Sequence, residues 1–343
     1  MNRAGLLAVG ALVGWAGKRL LDRGERYSFA GKTVLVTGGS RGLGLVLARK
    51  LAAEGARVAI CGRYPEALER ARSALAIPGA AVIAVPADVG DREAVTTLID
   101  RVTAHFGPID VLVNNAGVIE VGPAETMTLA DYEEAMAINF WGVVYPTLAV
   151  LPTMRERGSG RIVNITSIGG RLGVPHLLPY SASKFAALGF SQGLRAETRR
   201  DGIVVTTVVP GLMRTGSPRN ATFRGRHRAE YAWFSIADSM PGLTVAVEDA
   251  ARRILEGARR GDAEVRFPAV TRLAVVLGAA APNLTASVLD LAGRLLPQPP
   301  EEPRGRRVGR ESQSAASPSW LTRLGDAAAR RYNQIAPSEG TSA

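Results

Sequence analysis

The stretch TVLVTGGSRGLGLVLARKLAAEG, residues 33–55, decides the fold of this chain. It begins with a short apolar run typical of a buried strand and ends with a helical pattern of apolar residues. Between them lies a glycine-rich turn, whose glycines permit a tight bend, a close approach of backbone to a diphosphate, and close packing of helix on strand. The helix start would present unpaired N–H groups to the phosphates. We therefore predict a dinucleotide-binding turn formed by Gly38, Ser40, Arg41, Gly42, Leu43 and Gly44.

The same alternation of strand and helix patterns continues as far as residue 267. Short apolar runs, among them RVAIC (57–61), VLVN (111–114) and IVVTTVVP (203–210), alternate with stretches of helical periodicity. Strands that are apolar throughout are typical of a parallel sheet covered by helices on both faces. We therefore predict an α/β fold over residues 30–267, a doubly wound parallel sheet of the Rossmann type with about seven strands. Glycines alone would also suit a purely structural turn in such a fold.

The end of the second predicted strand, ICGRY at residues 60–64, concerns the choice of cofactor. Dinucleotide-binding units often carry an acid there, which holds the ribose hydroxyls of the adenosine. Here Gly62 stands in its place and Arg63 follows, while Arg41 lies in the glycine turn. Two guanidinium groups without a carboxylate suit a 2′-phosphate, so NADP(H) is favoured over NAD(H). In a chain with 42 basic residues, either arginine could instead point into solvent.

A second motif, YSASK at residues 180–184, places a tyrosine and a lysine four residues apart at the start of a predicted helix. Only four of the 42 basic residues are lysines. Residues i and i+4 share a helix face, so Lys184 can lie close to Tyr180. A nearby ammonium group favours the phenolate and would lower the pKa of the tyrosine. Taken alone, Tyr180 would be better explained as a helix residue packed on a loop.

With the glycine turn and YSASK, the chain resembles the short-chain dehydrogenase/reductase family over residues 30–267. Further motifs follow in the family's order: NNAG at 114–117, AINFWG at 137–142, NITSIGG at 164–170 and PGLMRT at 210–215. The resemblance implies a single-domain enzyme whose catalytic residues are Asn139, Ser167, Tyr180 and Lys184. It also implies cofactor contacts from Asp88, Val89, Asn115, Ala116, Gly117, Tyr180, Lys184, Pro210, Gly211 and Thr215.

The chemistry that the resemblance implies suits these residue types. Hydride transfer to a carbonyl leaves negative charge on oxygen, which calls for a proton donor and hydrogen bonds. By resemblance, Tyr180 exchanges the proton, Ser167 hydrogen-bonds the substrate oxygen, and Asn139 holds a water that relays protons to Lys184. Lysine is a compact charge that can also reach ribose hydroxyls, unlike a planar guanidinium. Each residue has an ordinary structural explanation on its own, but together and in order they favour an active site.

Composition narrows the functional classes further. The 343 residues include one cysteine and three histidines, no two of which have the spacing of metal ligands, so no metal site is predicted. The net charge of +11 admits nucleic acid, an anionic membrane surface or an acidic substrate as a partner. The basic residues cluster behind the first apolar segment, at 214–228 and at 304–310, without the aromatic-studded motif of RNA-binding sheets. A membrane surface or an acidic substrate is therefore favoured over nucleic acid.

The segments outside the predicted domain depart from the family's minimal form. Residues 1–29 carry the apolar run AGLLAVGALVGWAG (4–17), which suits a membrane anchor, a cleaved signal peptide or a packed helix. An anchor would leave the rest of the chain at the cytoplasmic face. Residues 268–297 are predicted as an apolar helical extension facing a membrane, a second subunit of a homo-oligomer, or simply the domain. Residues 298–343 are predicted as a largely disordered basic tail, with a short amphipathic helix at 320–332.

The predicted function is hydride transfer between NADP(H) and a carbonyl or secondary alcohol. Residues 212–246, where the family keeps its substrate lid, combine five arginines with Tyr231, Trp233 and Phe234. This mixture suits a lipophilic or amphiphilic substrate, such as a 3-oxoacyl thioester, a sterol-like ketone, or a long-chain ketone or aldehyde. A solvated basic loop would explain the arginines equally well. The alternative function is a non-catalytic dinucleotide-binding sensor or scaffold at a membrane.

Overall fold

The computed structural model describes residues 27–300 and 305–335. Its central sheet is formed by β1 (Thr33–Thr37), β2 (Arg57–Gly62), β3 (Ala81–Pro86), β4 (Val111–Asn114), β6 (Gly160–Ile165), β7 (Ile203–Pro210) and β11 (Glu264–Phe267). These seven strands lie in the order β11-β7-β6-β4-β1-β2-β3, and every neighbouring pair is parallel. The short strands outside it are β5 (Glu120–Val121), β8 (Met213–Arg214), β9 (Thr222–Phe223), β10 (Val245–Ala246) and β12 (Arg307–Val308). The predicted doubly wound sheet is confirmed.

Helices cover both faces of this sheet. All α-helices of the described residues are α1 (Gly42–Ala53), α2 (Pro65–Ala74), α3 (Arg92–Phe106), α4 (Leu129–Met136), α5 (Gly142–Glu156), α6 (Leu178–Thr198), α7 (His227–Ser239), α8 (Val247–Arg260), α9 (Ala269–Ala280), α10 (Pro282–Leu295) and α11 (Arg323–Arg331). Alternate side chains of β1 enter two cores. Val34 and Val36 pack with α1 and α8, whereas Leu35 packs with α3 and α5. Each fully buried Val or Leu contributes roughly 1.5–3 kcal/mol, which explains why strands buried on both faces are apolar throughout.

The site lies where the strand order reverses. Strand β1 pairs with β2 on one side and with β4 on the other, so the chain winds outward in both directions from this point. The loops that follow β1 and β4 diverge at their carboxyl ends and leave a crevice between them. The glycine turn follows β1, and the NNAG loop follows β4. The topology therefore brings together two motifs that are about 75 residues apart in the sequence.

Residues 305–335 correct the expectation of a disordered tail, because this part of the chain packs on the domain. Strand β12 pairs antiparallel with β9, and helix α11 lies against α7. Ala328, Ala329 and Tyr332 are buried, and Gly216 leaves room for Ala329. The surrounding composition is charged and polar, but these few apolar residues share one face of α11. That face is enough to attach the segment to an existing core.

Helices α9 and α10 contact each other, and we call this pair the apolar hairpin, residues 269–295. No residue of α10 is buried. The large apolar side chains that the hairpin exposes are Val270, Leu273, Val276, Leu277, Leu284, Val288, Leu291 and Leu295. Exposed large apolar side chains in such number on two neighbouring helices are typical of a membrane or protein contact.

The apolar run predicted as an anchor, residues 4–17, lies outside the described residues. Among residues 27–300 and 305–335, the run 129–156 is the one helix long and apolar enough to cross a membrane. Its most apolar window is 56% buried inside the protein. Val150, Leu151 and Met154 of this run belong to the core around Leu35, so it serves as a core helix.

Candidate active site

A cavity of about 560 Å³ occupies the crevice at the carboxyl ends of β1, β4 and β6. The predicted site residues that line it are Gly38, Ser40, Arg41, Gly42, Leu43, Arg63, Asp88, Val89, Asn115, Ala116, Gly117, Ser167, Tyr180, Lys184, Pro210, Gly211 and Thr215. Two other predicted residues, Gly44 and Asn139, lie behind its wall. The structure therefore brings the glycine turn and the YSASK motif into one cavity.

The glycine turn packs so closely on its neighbours that two of its positions have no room for a side chain. Gly38 has a φ of +63°, and a Cβ there would lie 2.8 Å from the Cα of Ala116. At Gly44 a Cβ would lie 2.3 Å from the carbonyl oxygen of Gly38, so α1 packs this close only because residue 44 is glycine. Helix α1 begins without a side-chain cap and without an acidic residue in its first turn. A helix start of this kind favours an anion, and binding of a diphosphate there stays a prediction.

Asn115 holds the two edges of the crevice together. Its side-chain amide donates to the carbonyl oxygens of Thr37 and Gly38 at 3.0 and 3.1 Å. In return, the hydroxyl of Thr37 accepts from the backbone N–H groups of Asn115 and Ala116 at 3.0 and 3.1 Å. The NNAG loop thus fixes the glycine turn relative to β4, which is how it would support a cofactor.

Ser167 and Tyr180 meet at the reacting end of the cavity. The Ser167 Oγ accepts from the N–H of Gly169 at 3.0 Å. Burial raises the pKa of Tyr180 above its ordinary value of 10.0; the nearby Ser167 hydroxyl opposes this shift, and the charge of Glu120 adds to it. Tyr180 is therefore protonated at neutral pH, which is the form that can donate a proton to a carbonyl oxygen.

Lys184 lies beneath Tyr180, one turn further along α6. It is only 4% exposed, and its Nζ donates to the carbonyl oxygen of Ile165 at 3.2 Å. Burial lowers the pKa of Lys184 to about 8. The Nζ is 5.8 Å from the centre of the Tyr180 ring. Burial raises the pKa of Tyr180, and the lowering of that pKa that we expect from the Lys184 ammonium stays a prediction.

Asn139 positions the loop and helix that carry the reacting groups. It lies in a π-helical turn, Ala137–Trp141, between α4 and α5, and it is fully buried. Its Oδ1 accepts from the N–H of Val118 at 3.0 Å, and its Nδ2 donates to the Val118 carbonyl and to the Ser183 hydroxyl at 3.1 and 3.0 Å. π-helical turns inside α-helices are frequent at functional sites. Both amide N–H groups are used, and the proton relay through Asn139 stays a prediction.

Arg41 and Arg63 line the other end of the cavity. Arg41 is partly buried and donates to the Asn220 Oδ1 at 2.9 Å. Burial lowers the pKa of the Arg41 guanidinium, and the nearby charges of Arg63 and Arg310 lower it further. Within the part of the chain that the structure describes, no carboxylate forms an ion pair with Arg41. Arg63 is half-exposed and lies 3.9 Å from Glu134, a long and weak ion pair. The cluster of cations is thus short of negative charge, which fits a phosphate-bearing ligand.

The wall beyond Tyr180 is apolar. It is formed mainly by Ile168, Val174, Leu177, Trp233, Phe234, Leu243 and Val270. Asp238 also lines the cavity, but burial raises its pKa well above the ordinary value and favours its neutral form. None of the five arginines in residues 212–246 lines the cavity: Arg224, for example, pairs with Asp131 at 2.7 Å. Trp233 and Phe234 of the lid therefore face the substrate space, whereas Tyr231 is buried in a core cluster with Phe223.

Of the cavity residues that were not predicted as site residues, Asn220 and Gln334 are polar and contact each other. Asn220 lies in the lid, and Gln334 follows the amphipathic pattern at 320–332 that the sequence did show. No motif marks either residue. Their position depends on how the end of the chain packs, which a local pattern does not encode.

Comparison with known proteins identifies the class. The family model of the short chain dehydrogenases matches residues 32–223. This chain belongs to the short-chain dehydrogenase/reductase family. It is an oxidoreductase of a family that binds a nicotinamide dinucleotide, and the motif-based assignment to this family is confirmed.

The relatives are oxidoreductases of several kinds. The chain is 36% identical over 270 residues to SadH of Mycobacterium tuberculosis, provisionally named an oxidoreductase; the match covers 76% of this chain and 96% of SadH. It is 37% identical over 268 residues to a Streptomyces coelicolor protein provisionally named a ketoacyl reductase. This match covers 77% of this chain and 97% of that protein. A crystal structure of an actinorhodin polyketide ketoreductase variant with NADPH superposes with a TM-score of 0.62 at 33% identity, covering 71% of this chain and 97% of that one.

Proposed function

We propose that this protein uses NADPH to reduce the carbonyl group of a lipophilic substrate, with a 3-oxoacyl thioester as the leading candidate. The observation that carries the proposal is that one cavity joins Arg41 and the glycine turn to Tyr180 and Lys184, and then to an apolar wall. When bound, NADPH supplies the hydride. The phenol of Tyr180 donates the proton to the carbonyl oxygen, the Ser167 hydroxyl holds the same oxygen, and Lys184 binds the ribose hydroxyls of the nicotinamide side.

The raised pKa of Tyr180 favours the reducing direction. A neutral phenol is the acid that carbonyl reduction needs, whereas alcohol oxidation needs the phenolate as a base. The ketoreductase named among the solved relatives was crystallised with NADPH, which supports the same direction and cofactor.

The cation cluster supports a preference for NADPH over NADH. Changing both Arg41 and Arg63 to alanine is expected to lower the NADPH-to-NADH ratio of kcat/KM about 100-fold, because each charge-assisted hydrogen bond to the 2′-phosphate would be lost. The kcat/KM with NADH should change little. Steady-state kinetics with both cofactors, at a fixed substrate concentration, gives the ratio.

Arg72→Ala is the matched control for this prediction. Arg72 lies exposed on α2, pairs with Glu69 and does not line the cavity, yet its loss changes the net charge in the same direction. The control should leave the ratio unchanged. A wild-type enzyme that prefers NADH, or a double variant with the wild-type ratio, would contradict the proposed cofactor.

The exposed apolar side chains of the apolar hairpin support a membrane surface as the place where the enzyme acts. Val270 lines the cavity and is also 41% exposed, so the apolar wall of the substrate space continues onto the hairpin surface. A substrate dissolved in a bilayer could reach Tyr180 along this surface without crossing water. The basic residues Arg272 and Arg294 on the same helices suit anionic headgroups. We propose that the hairpin rests on a membrane, together with the apolar segment at residues 4–17.

Replacing Leu284, Val288 and Leu291 by serine is expected to weaken binding to anionic phospholipid vesicles about tenfold or more, since three large apolar side chains would no longer enter the interface. Vesicle co-sedimentation measures the partition. Because residues 4–17 provide a second apolar contact, the triple variant is compared in the full chain and in a chain that starts at Gly24.

Thr285→Ala/Ser287→Ala is the control pair, because it changes α10 without removing large apolar groups. The shortened triple variant should remain in the supernatant. If it co-sediments as strongly as the wild-type chain, the hairpin does not bind the membrane.

A further inference from the structure

The end of the chain crosses the glycine turn. We call residues 323–335, which comprise α11 and the four residues after it, the C-terminal strap. Three consecutive strap residues contact the turn or the loops beside it. The Tyr332 carbonyl accepts from the N–H of Gly42 at 2.9 Å, and the Asn333 side chain donates to the carbonyl oxygens of Ser40 and Ala67 at 2.7 and 3.1 Å. The third residue, Gln334, turns its side chain into the cavity.

A relay of hydrogen bonds fixes the orientation of the Gln334 amide. Arg41 can only donate, so the Asn220 atom that it contacts at 2.9 Å must be the oxygen. The Asn220 Nδ2 then faces Gln334 and donates to its Oε1 at 2.7 Å. This leaves the Gln334 Nε2 to donate to the carbonyl oxygen of Thr215 at 3.2 Å. Because arginine can only donate, its contact with Asn220 determines the orientation of the side-chain amides of both Asn220 and Gln334.

The Gln334 amide bridges the two loops between which a dinucleotide must pass. Its Nε2 lies 2.9 Å from where a Cβ of Gly42 would be and is bonded to Thr215 on the loop after β7. An amide nitrogen carries two N–H donors, and only one has a protein acceptor among the described residues. Gln334 is only 9% exposed, and it lines the cavity. A buried donor in this place calls for an acceptor on the ligand.

We propose that Gln334 is a cofactor-binding residue, that its free N–H donates to the diphosphate of the dinucleotide, and that the C-terminal strap is the outer wall of that site. The inference rests on the proposed function only in that a nicotinamide dinucleotide binds in the cavity. The strap lines the cavity without filling it, since the space remains continuous from Arg63 to Lys184 with Gln334 in place. The strap therefore acts as a wall and not as a plug.

The test measures ligand binding to the full chain by titration calorimetry. Gln334→Ala is expected to raise the Kd of NADP⁺ about tenfold, because a hydrogen bond to a charged group is lost. Gln334→Glu is expected to raise it about 100-fold, because a carboxylate offers no donor and repels the diphosphate. Adenosine 2′-monophosphate, which has no diphosphate, should bind both variants within about twofold of the wild type.

Gln298→Glu, on an exposed residue after the hairpin, is the matched charge control and should leave both ligands unaffected. The thermal midpoint of each ligand-free variant shows whether the fold is intact. Unchanged or tighter NADP⁺ binding by Gln334→Ala would overturn the proposal, and the tighter binding would identify the strap as a plug. An equal loss for both ligands would also overturn it, because the strap would then have only a structural role. If the wild type prefers NAD⁺, the proposed preference for NADP(H) is wrong, but the role of Gln334 is tested in the same way with NAD⁺ and adenosine monophosphate.

Discussion

Tyr180→Phe is expected to lower kcat for carbonyl reduction about 10³-fold while the Kd of NADPH stays within about twofold. The reason is that phenylalanine keeps the ring that packs against Gly169 but removes the proton donor at the end of the cavity. The loss should appear in kcat and kcat/KM together, because the phenolic proton moves only in the transition state. Loss of NADPH absorbance with a panel of 3-oxoacyl thioesters, sterol-like ketones and long-chain aldehydes measures the rates.

Tyr64→Phe is the matched control for this experiment. Tyr64 also lines the cavity, but it lies beside Arg63, at the end of the cavity away from the reacting groups. Its loss of a hydroxyl should leave kcat nearly unchanged. If wild type and Tyr180→Phe oxidise NADPH equally slowly with every substrate of the panel, the proposed reaction is wrong for those substrates, and a sensing or scaffolding role becomes the better explanation.

The parts of this site that the sequence predicts are those that local rules determine. Gly38 and Gly44 are required by backbone contacts of 2.8 and 2.3 Å to an added Cβ, and such requirements leave a spacing pattern in the sequence. The convergence of Ser167 and Tyr180 follows from the parallel sheet, because the carboxyl ends of its strands meet at one edge. Strand, turn and helix signals predicted the sheet and its edge, and the family resemblance singled out Ser167 and Tyr180 there.

The parts that the sequence does not predict depend on contacts between distant segments. Asn333 donates a hydrogen bond to the carbonyl oxygen of Ser40, which is 293 positions away in the sequence. The polar composition of the tail does not predict that contact. The arginines of residues 212–246 left an amphiphilic substrate and a solvated basic loop equally open, and only the structure shows that Asp131 from α4 pairs with Arg224 at 2.7 Å. The sign of the Tyr180 pKa shift is a balance between burial and the charges around the ring. Such a balance needs distances and exposed areas, and a motif supplies neither.

Lys184→Met is expected to make the protein more stable at pH 7 while reducing turnover more than about 100-fold. Burial lowers the pKa of Lys184 from 10.5 to about 8, so at pH 7 the folded protein holds a charge that its surroundings disfavour. The difference corresponds to about 3 kcal/mol of lost stability as an upper limit. Methionine is apolar and similar in shape, so we expect a gain of about 1–3 kcal/mol and a rise in Tm of roughly 3–8 °C. Lys50→Met, on the partly exposed surface of α1, is the control and should change stability by less than about 0.5 kcal/mol.

The dependence of this gain on pH distinguishes a buried charge from a simple improvement in packing. Below pH 8 Lys184 is protonated in both the folded and the unfolded chain, so the full penalty is present. Between about 8 and 10.5 the unfolded chain binds the proton and the folded chain does not, so wild-type stability rises with pH relative to the variant. The gain of Lys184→Met should therefore be largest at or below pH 7 and fade towards pH 10.5. Denaturant unfolding of both proteins across this range measures the difference. A gain that is independent of pH, or a variant less stable than wild type at pH 7, would show that Lys184 is not held at an energetic cost for catalysis.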